Sequence, residues 1–198
     1  MMINDDVLLA WGATYKQVAA RETVFKEGME GRFYCQLISG SIRWVNITDD
    51  GKEFIQNMIE PGECFGELPL FDDLPYAASA IANKDSVIIR LHKTIFHQLL
   101  KDCPEIHFEF SHLLTQRLRF KLLFIQELAN SDPEHTILTL LNYFKKTQKN
   151  ICQICNKVRL TRQQIADMTG LRVETVIRTI RGLQEKGTLT IDKGKIYC

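Results

Sequence analysis

No stretch of this sequence approaches the roughly 20 consecutive apolar residues that cross a bilayer, so no membrane partner is expected. The N-terminal MMINDDVLLAWG has neither a basic stretch nor a long apolar run. A secretory leader is therefore not expected, and the protein is expected in the cytoplasm. Cysteine is sparse and scattered: Cys35, Cys64, Cys103, Cys152, Cys155 and Cys198 are too dispersed for a disulfide framework and are expected to be reduced thiols. The chain also lacks a nucleophile with a base beside it, a Gly-rich phosphate loop and a metal-ligand motif, and none of its five histidines falls in a catalytic pattern. Catalysis, a bound metal and a cofactor are not expected. Even a net charge is nearly missing, at +1.

That small total conceals an uneven distribution. Residues 1 to 131 hold 13 Lys and Arg against 18 Asp and Glu, whereas residues 132 to 198 hold 12 against 6. An acidic part and a basic part call for different partners, and the basic one suits phosphate neutralisation. A chain of 198 residues, 45% hydrophobic and 25% charged, is long enough for more than one globular core.

The basic part contains the most informative stretch, LTRQQIADMTGLRVETVIRTIRGL, residues 160 to 183. Thr161 and Gln164 form a capping box that starts one helix. Gly170 supplies the positive φ that ends it. In the helix that follows, Val176, Ile180 and Leu183 share one face and Glu174, Arg178 and Arg181 the opposite one. Ala166 allows a close crossing, so the spacing is that of a helix-turn-helix. An ordinary helical hairpin with an exposed Glu174–Arg178 pair is the plain alternative.

Upstream, residues 4 to 11 read as a short helix. From Tyr15 to about Leu91, β-branched and aromatic runs punctuated by glycines predict a small β-roll or barrel with strands at 33–39, 41–47, 53–59 and 86–91 and a DDG hairpin turn at 49–51. A short helix covers 93–101. A long one follows from Glu105 without Gly or Pro until Pro133. Along it Phe110, Leu114, Leu118, Ile125 and Leu128 are expected to form a two-fold contact with a second copy, since the helix is too apolar for one side of a β unit to cover. ANSDPEH, 129–135, is the expected hinge. A helix from Pro133 to about Lys146, the helix-turn-helix and a two-stranded wing turning at Lys193 and Gly194 complete a winged-helix domain. The fold class expected is α+β, with a β-roll sensor domain at 1–102, a dimerisation helix and hinge at 103–131 and a winged helix-turn-helix domain at 132–198.

In that order the chain resembles the Crp/Fnr family of bacterial transcription regulators over essentially its whole length. FYCQLISGSI looks like the start of that family's roll, PGECFGELPLF like its ligand cassette and LTRQQIADMTGLRVETVIR like its DNA-binding signature. The resemblance implies a cyclic-nucleotide-binding-like roll, a homodimer and double-stranded DNA as partner. It also implies an effector cassette around Gly66, Glu67 and Leu68, with the phosphate-holding Arg and its partner replaced by Ala77 and Ala78, or by Ala78 and Ser79 if one residue is inserted. No Arg occurs between Arg43 and Arg90. The base-holding positions on the long helix correspond to Lys121 and Leu122, and cAMP is therefore not the expected effector. The oxygen sensors of the family use N-terminal cysteines for an iron-sulfur cluster. This chain has none before Cys35, so that cluster is not expected either.

For DNA, the resemblance assigns base reading to Val173, Glu174, Thr175 and Arg178. Arg178 suits guanine and Glu174 suits cytosine N4. Val173 stands where the cyclic-AMP receptors have Arg, and Val173, Glu174 and Thr175 together look more like the Fnr branch, so palindromes with TTGA-like half-sites are expected; Ile177 departs from the oxygen sensor, which leaves the outer bases looser. Arg162, Gln163, Thr175, Arg172 and Arg181 are expected near phosphates, and Thr161 belongs with them among the expected DNA-binding residues. The expected function is sequence-specific transcription regulation by a homodimer responding to an unknown small-molecule effector, with RNA polymerase as a further partner if it activates. The alternative is a small-molecule or thiol/metal redox receptor, with the CxxC at Cys152 and Cys155 as its chemistry and DNA binding as its output.

Overall fold

The computed structural model describes residues 3–130 and 132–198, the side chains of 128–130 excepted. The chain divides into two compact units, Met1–Leu114 and Thr115–Cys198.

The first unit is built on one antiparallel sheet. Its strands are β1 (Thr14–Val18), β2 (Thr23–Phe25), β3 (Phe33–Ile47), β4 (Glu53–Ile59), β5 (Cys64–Phe65) and β6 (Ser79–His92), in the order β1-β6-β3-β4 with β2 on β6 and β5 on β3. The expected pair of strands at 33–39 and 41–47 is one 15-residue strand. Gly40 does not turn the chain. With φ at +105° it bulges the strand, and a Cβ there would overlap Ser86 on the neighbouring β6. The strand expected at 86–91 begins at Ser79; its first half, SAIANKD, holds a single β-branched residue, Ile81, and so carries little strand signal in sequence. The DDG turn forms as expected, Gly51 N donating to Thr48 O at 2.8 Å and Thr48 N to Lys52 O at 3.0 Å.

Three helices pack on this sheet: α1 (Asp5–Ala10), a short α2 (Leu68–Asp72) that sequence periodicity is too brief to announce, and α3 (Lys93–Asp102). Tyr34 stacks on Phe96 at 4.9 Å between centroids. Phe110, on the long helix α4 (Pro104–Asn130), closes on both rings edge-on at 5.9 and 5.3 Å. Phe110 is completely buried in this cluster. Its assignment to the dimer contact is therefore corrected: an aromatic side chain with no exposed surface is core of the first unit, and it stabilises that core by roughly 1.5–3 kcal/mol through burial.

The second unit holds the remainder of α4, then α5 (Pro133–Thr147), α6 (Arg162–Thr169), α7 (Val173–Glu185) and the strands β7 (Thr190–Asp192) and β8 (Lys195–Tyr197). α5 starts where Asp132 accepts from Glu134 N and Pro133 sets the first helical φ. Of the expected hinge, Ser131 lies outside the described residues. Ile137, Leu140, Leu141 and Phe144 of α5 are buried, together with Ile165, Ala166 and Met168 of α6 and Val176, Ile180 and Leu183 of α7. β7 and β8 pair Asp192 with Lys195, so Lys193 and Gly194, both at positive φ, form the two-residue turn of the wing.

Candidate nucleic-acid interface and effector cassette

Local chemistry sets the recognition hairpin. Thr161 Oγ1 accepts from Gln164 N at 3.1 Å while Thr161 N donates to Gln164 Oε1 at 2.9 Å, the reciprocal capping box. α6 ends on Gly170 at φ +69°. Thr169 is buried and donates to Ile165 O at 2.7 Å, which tightens the last turn. α7 then begins after Arg172 with no side chain capping its first amides, so donors that belong to no helical bond stand at its N-terminus.

With Val176, Ile180 and Leu183 buried, Glu174, Arg178 and Arg181 are thrown outward and exposed. Glu174, Ile177, Arg178 and Arg181 line one groove of about 480 Å³, joined by Gly182 and Glu185. Those last two escaped the sequence reading. Their signal was present, since Gly182 and Glu185 stand four residues beyond Arg178 and Arg181. Arg172 is also exposed, while Val173, Thr175, Ile177 and Arg162 are half-buried. Thr161 is exposed with its hydroxyl engaged in the cap. Gln163 is exposed with its amide donating to Asp167 Oδ1 at 2.8 Å. The surface therefore offers two acceptor carboxylates, Glu174 and Glu185, and two guanidinium forks, Arg178 and Arg181, on a single helix face, a set that can pair with base edges and phosphates.

The cassette of the first unit is organised differently from a polar anion pocket. Gly66, at φ +69°, brings its backbone against Phe25, and a Cβ there would overlap the ring. Phe25 stacks on Tyr76 with centroids 3.7 Å apart and planes 7° from parallel, and the Phe65 ring lies 5.8 Å from Phe25. Ala78 is buried in the same apolar cluster with Leu37, Trp44 and Ile88, whereas Ala77 is exposed. Glu67 is 1% exposed and Leu68 lies at the surface. Arg43 and Arg90, the arginines on either side of the cassette in sequence, have other neighbours. Arg43 grips both oxygens of Glu53, Nε to Oε2 at 2.7 Å and Nη2 to Oε1 at 2.8 Å, and donates to Asn83 as well. Arg90 sits over the Phe33 ring at 5.0 Å. A phosphate placed beside Ala78 would meet rings and methyls, an environment that penalises an unpaired charge by several kcal/mol. Phe25 and Tyr76 were missed as residues of this site, because aromatic side chains in a β-rich stretch carry no positional signal of their own.

On α4, Lys121 is partly buried, and burial together with nearby Arg117 pulls its ammonium down to about 8. Leu118, Leu122 and Ile125, spaced to share one face, are 60%, 59% and 62% exposed. Leu114 is half-buried and the Leu128 side chain lies outside the described residues. The stripe thus contains Leu122, which the resemblance aligns with a base-holding position. Phe124 is buried, and Phe120 stacks on Tyr143 of α5 at 4.0 Å.

Comparison with known proteins follows these two units. The family model for the cyclic nucleotide-binding domain matches residues 15–103 and that for the Crp-like helix-turn-helix domain matches residues 135–198. The chain is 28% identical over 189 residues to the cAMP-activated global transcriptional regulator CRP of Haemophilus influenzae, covering 93% of this chain and 84% of that one. Among solved structures it is similar to the c-di-GMP responsive global regulator CLP of Xanthomonas campestris, with a TM-score of 0.77, 21% identity and 98% of both chains covered. FixK2 from Bradyrhizobium japonicum superposes with a TM-score of 0.77 at 18% identity, over 93% of this chain and 91% of that one.

Proposed function

Since the chain belongs to the Crp/Fnr family of helix-turn-helix transcription regulators, we propose that it acts as a homodimer on palindromic DNA with TTGA-like half-sites and responds to an effector other than cAMP. The observation that carries this reading is the outer face of α7, where Glu174, Ile177, Arg178 and Arg181 line one groove on a capped helix-turn-helix. Arg178 forks to guanine O6 and N7, Glu174 accepts from cytosine N4, and Val173 and Ile177 offer methyl surface to thymine. Arg162, Arg172 and Arg181, with Thr161, Gln163 and Thr175, position the protein on phosphates. Two-fold symmetry sets half-sites about one turn of DNA, roughly 34 Å, apart.

The stripe of Leu118, Leu122 and Ile125 supports a second copy as the partner, because three large apolar side chains on one exposed helix face are costly in water and complementary to themselves. The apolar filling around Ala78 and the pairing of Arg43 with Glu53 argue against a cyclic phosphate. The protein is read as a cytoplasmic regulator without catalytic activity, and RNA polymerase is its further partner where it activates.

Selection of binding sites from random DNA, with and without cell extract, tests the reading. A TTGA-type palindrome is expected, and dependence on extract would reveal an effector. Failure to enrich any sequence under either condition would overturn it.

A further inference from the structure

Between α5 and α6 the chain makes a hairpin whose ends pair at Ile151 and Val158. Cys152 N donates to Lys157 O and Asn156 N donates back to Cys152 O, both at 2.8 Å. Asn156 takes the left-handed φ of +54° that closes the loop. The four residues from Cys152 to Cys155 are thereby folded back on themselves. The backbone amides of Cys155 and Ile154 and the Cys155 thiol all direct hydrogen bonds to the Cys152 sulfur. These donors, aided by Arg159, bring the Cys152 thiol down to about 7, so a large share is thiolate near neutral pH.

Access is open. Cys155 is exposed, Cys152 is half-buried, and Ile154 at the tip is 96% exposed. The other thiols differ. Cys35 and Cys64 are buried in the first unit, and burial pushes the Cys198 thiol up even though its amide reaches Asn156 O at 3.3 Å. Among the described residues no group of three or more His, Cys, Asp or Glu side chains converges as a metal site. The hairpin therefore presents two adjoining sulfurs, one of them activated, without a third ligand joined to them.

We propose that Cys152 and Cys155 are an oxidisable dithiol in the second unit that closes to an intramolecular disulfide by exchange with a low-molecular-weight disulfide. The Cys152 thiolate attacks one sulfur of the small disulfide. Its S–S bond breaks, and one small thiolate leaves with the bonding pair and takes a proton from solvent. Cys155 then loses its proton, attacks the Cys152 sulfur and expels the second small thiolate. The two cysteines lose two electrons, and the small disulfide is reduced to two thiols. Reversal needs only an excess of small thiol. The chemistry stands apart from the DNA reading, and its test uses no DNA.

The full chain is equilibrated in mixtures of reduced and oxidised glutathione, quenched in acid, alkylated and digested with trypsin. Cleavage after Lys149 and Lys157 releases both cysteines on one peptide, residues 150–157. The expected result is reversible loss of both alkyl groups together, leaving a peptide lighter by two hydrogens and free of glutathione. Cys155→Ser should instead trap glutathione on Cys152, and Cys152→Ser should form its adduct at least a few-fold more slowly, roughly as the thiolate fraction and its nucleophilicity dictate. Retention of both alkyl groups in the fully oxidised mixture would overturn the proposal. So would a disulfide from either cysteine to Cys198, or a metal recovered with the purified chain that shields both thiols from alkylation.

Discussion

Glu174 and Arg178 stand four residues apart on the exposed face of α7, close enough to pair with each other in the free protein and to separate onto neighbouring bases when DNA is bound. Their roles differ from that of Arg181 in a measurable way. Glu174→Ala should relax discrimination at one base pair by about 1–3 kcal/mol, while Arg181→Ala should weaken all sequences alike and lower the salt slope by about 1. Competition binding against single-base variants of the selected site reads both, and equal losses on every sequence for both variants would remove Glu174 as a reader. Gly66 gives a residue-scale test in the first unit. Alanine there meets the Phe25 ring and a left-handed backbone at once, so Gly66→Ala should lower unfolding stability by about 2–4 kcal/mol through overpacking and strain. Urea denaturation would show it. Cys152 supplies the pH dependence: with its thiol near 7, alkylation by iodoacetamide should slow as pH falls through about 7, as protonation removes the thiolate. Cys35, whose thiol burial pushes up to about 12, should stay unreactive throughout while the chain is folded.

At the level of elements, the recognition hairpin depends on local signals. Thr161→Ala removes the hydroxyl that accepts from Gln164 and should cost about 1 kcal/mol. The loss should appear in thermal unfolding of the second unit. The α4 helix is different, because its surface carries two kinds of apolar residue that look alike in sequence. Phe110 is consumed by the core with Tyr34 and Phe96, while Leu118, Leu122 and Ile125 remain at the surface. Charging that stripe by Leu118→Glu together with Ile125→Glu should convert a dimer to a monomer in sedimentation equilibrium while leaving far-ultraviolet dichroism unchanged. A dimer that persists would move the proposed two-fold contact to another surface.

At the level of the molecule, the acidic excess up to residue 131 and the basic excess beyond it separate a surface that repels phosphate from one that attracts it. Arg162, Arg172 and Arg181 from each of two protomers would neutralise phosphates and release counterions on binding. The logarithm of affinity should then fall against the logarithm of salt concentration with a slope of about −5. Fluorescence anisotropy across a salt series measures it, and a slope near zero would rule out this phosphate contact. The two units match the two family models in the same order, so the domain chemistry on which this slope depends is that of a Crp-like helix-turn-helix.

The sequence by itself determined the parts governed by short-range rules. The Thr161 cap, the Gly170 stop, the buried Val176–Ile180–Leu183 face, the DDG turn and the Lys193–Gly194 wing turn all follow from residues within a few positions of one another. They were legible because helix period and positive φ are local properties. Only the tertiary structure decided that Gly40 bulges one long strand, since the reason lies in Ser86, which is distant in sequence. It alone buried Phe110, and it alone packed Phe25 against Tyr76 over Gly66 beside Ala78. Each of those outcomes depends on which side chain arrives opposite another across a sheet, and apolar residues of similar character do not declare their partners along the chain.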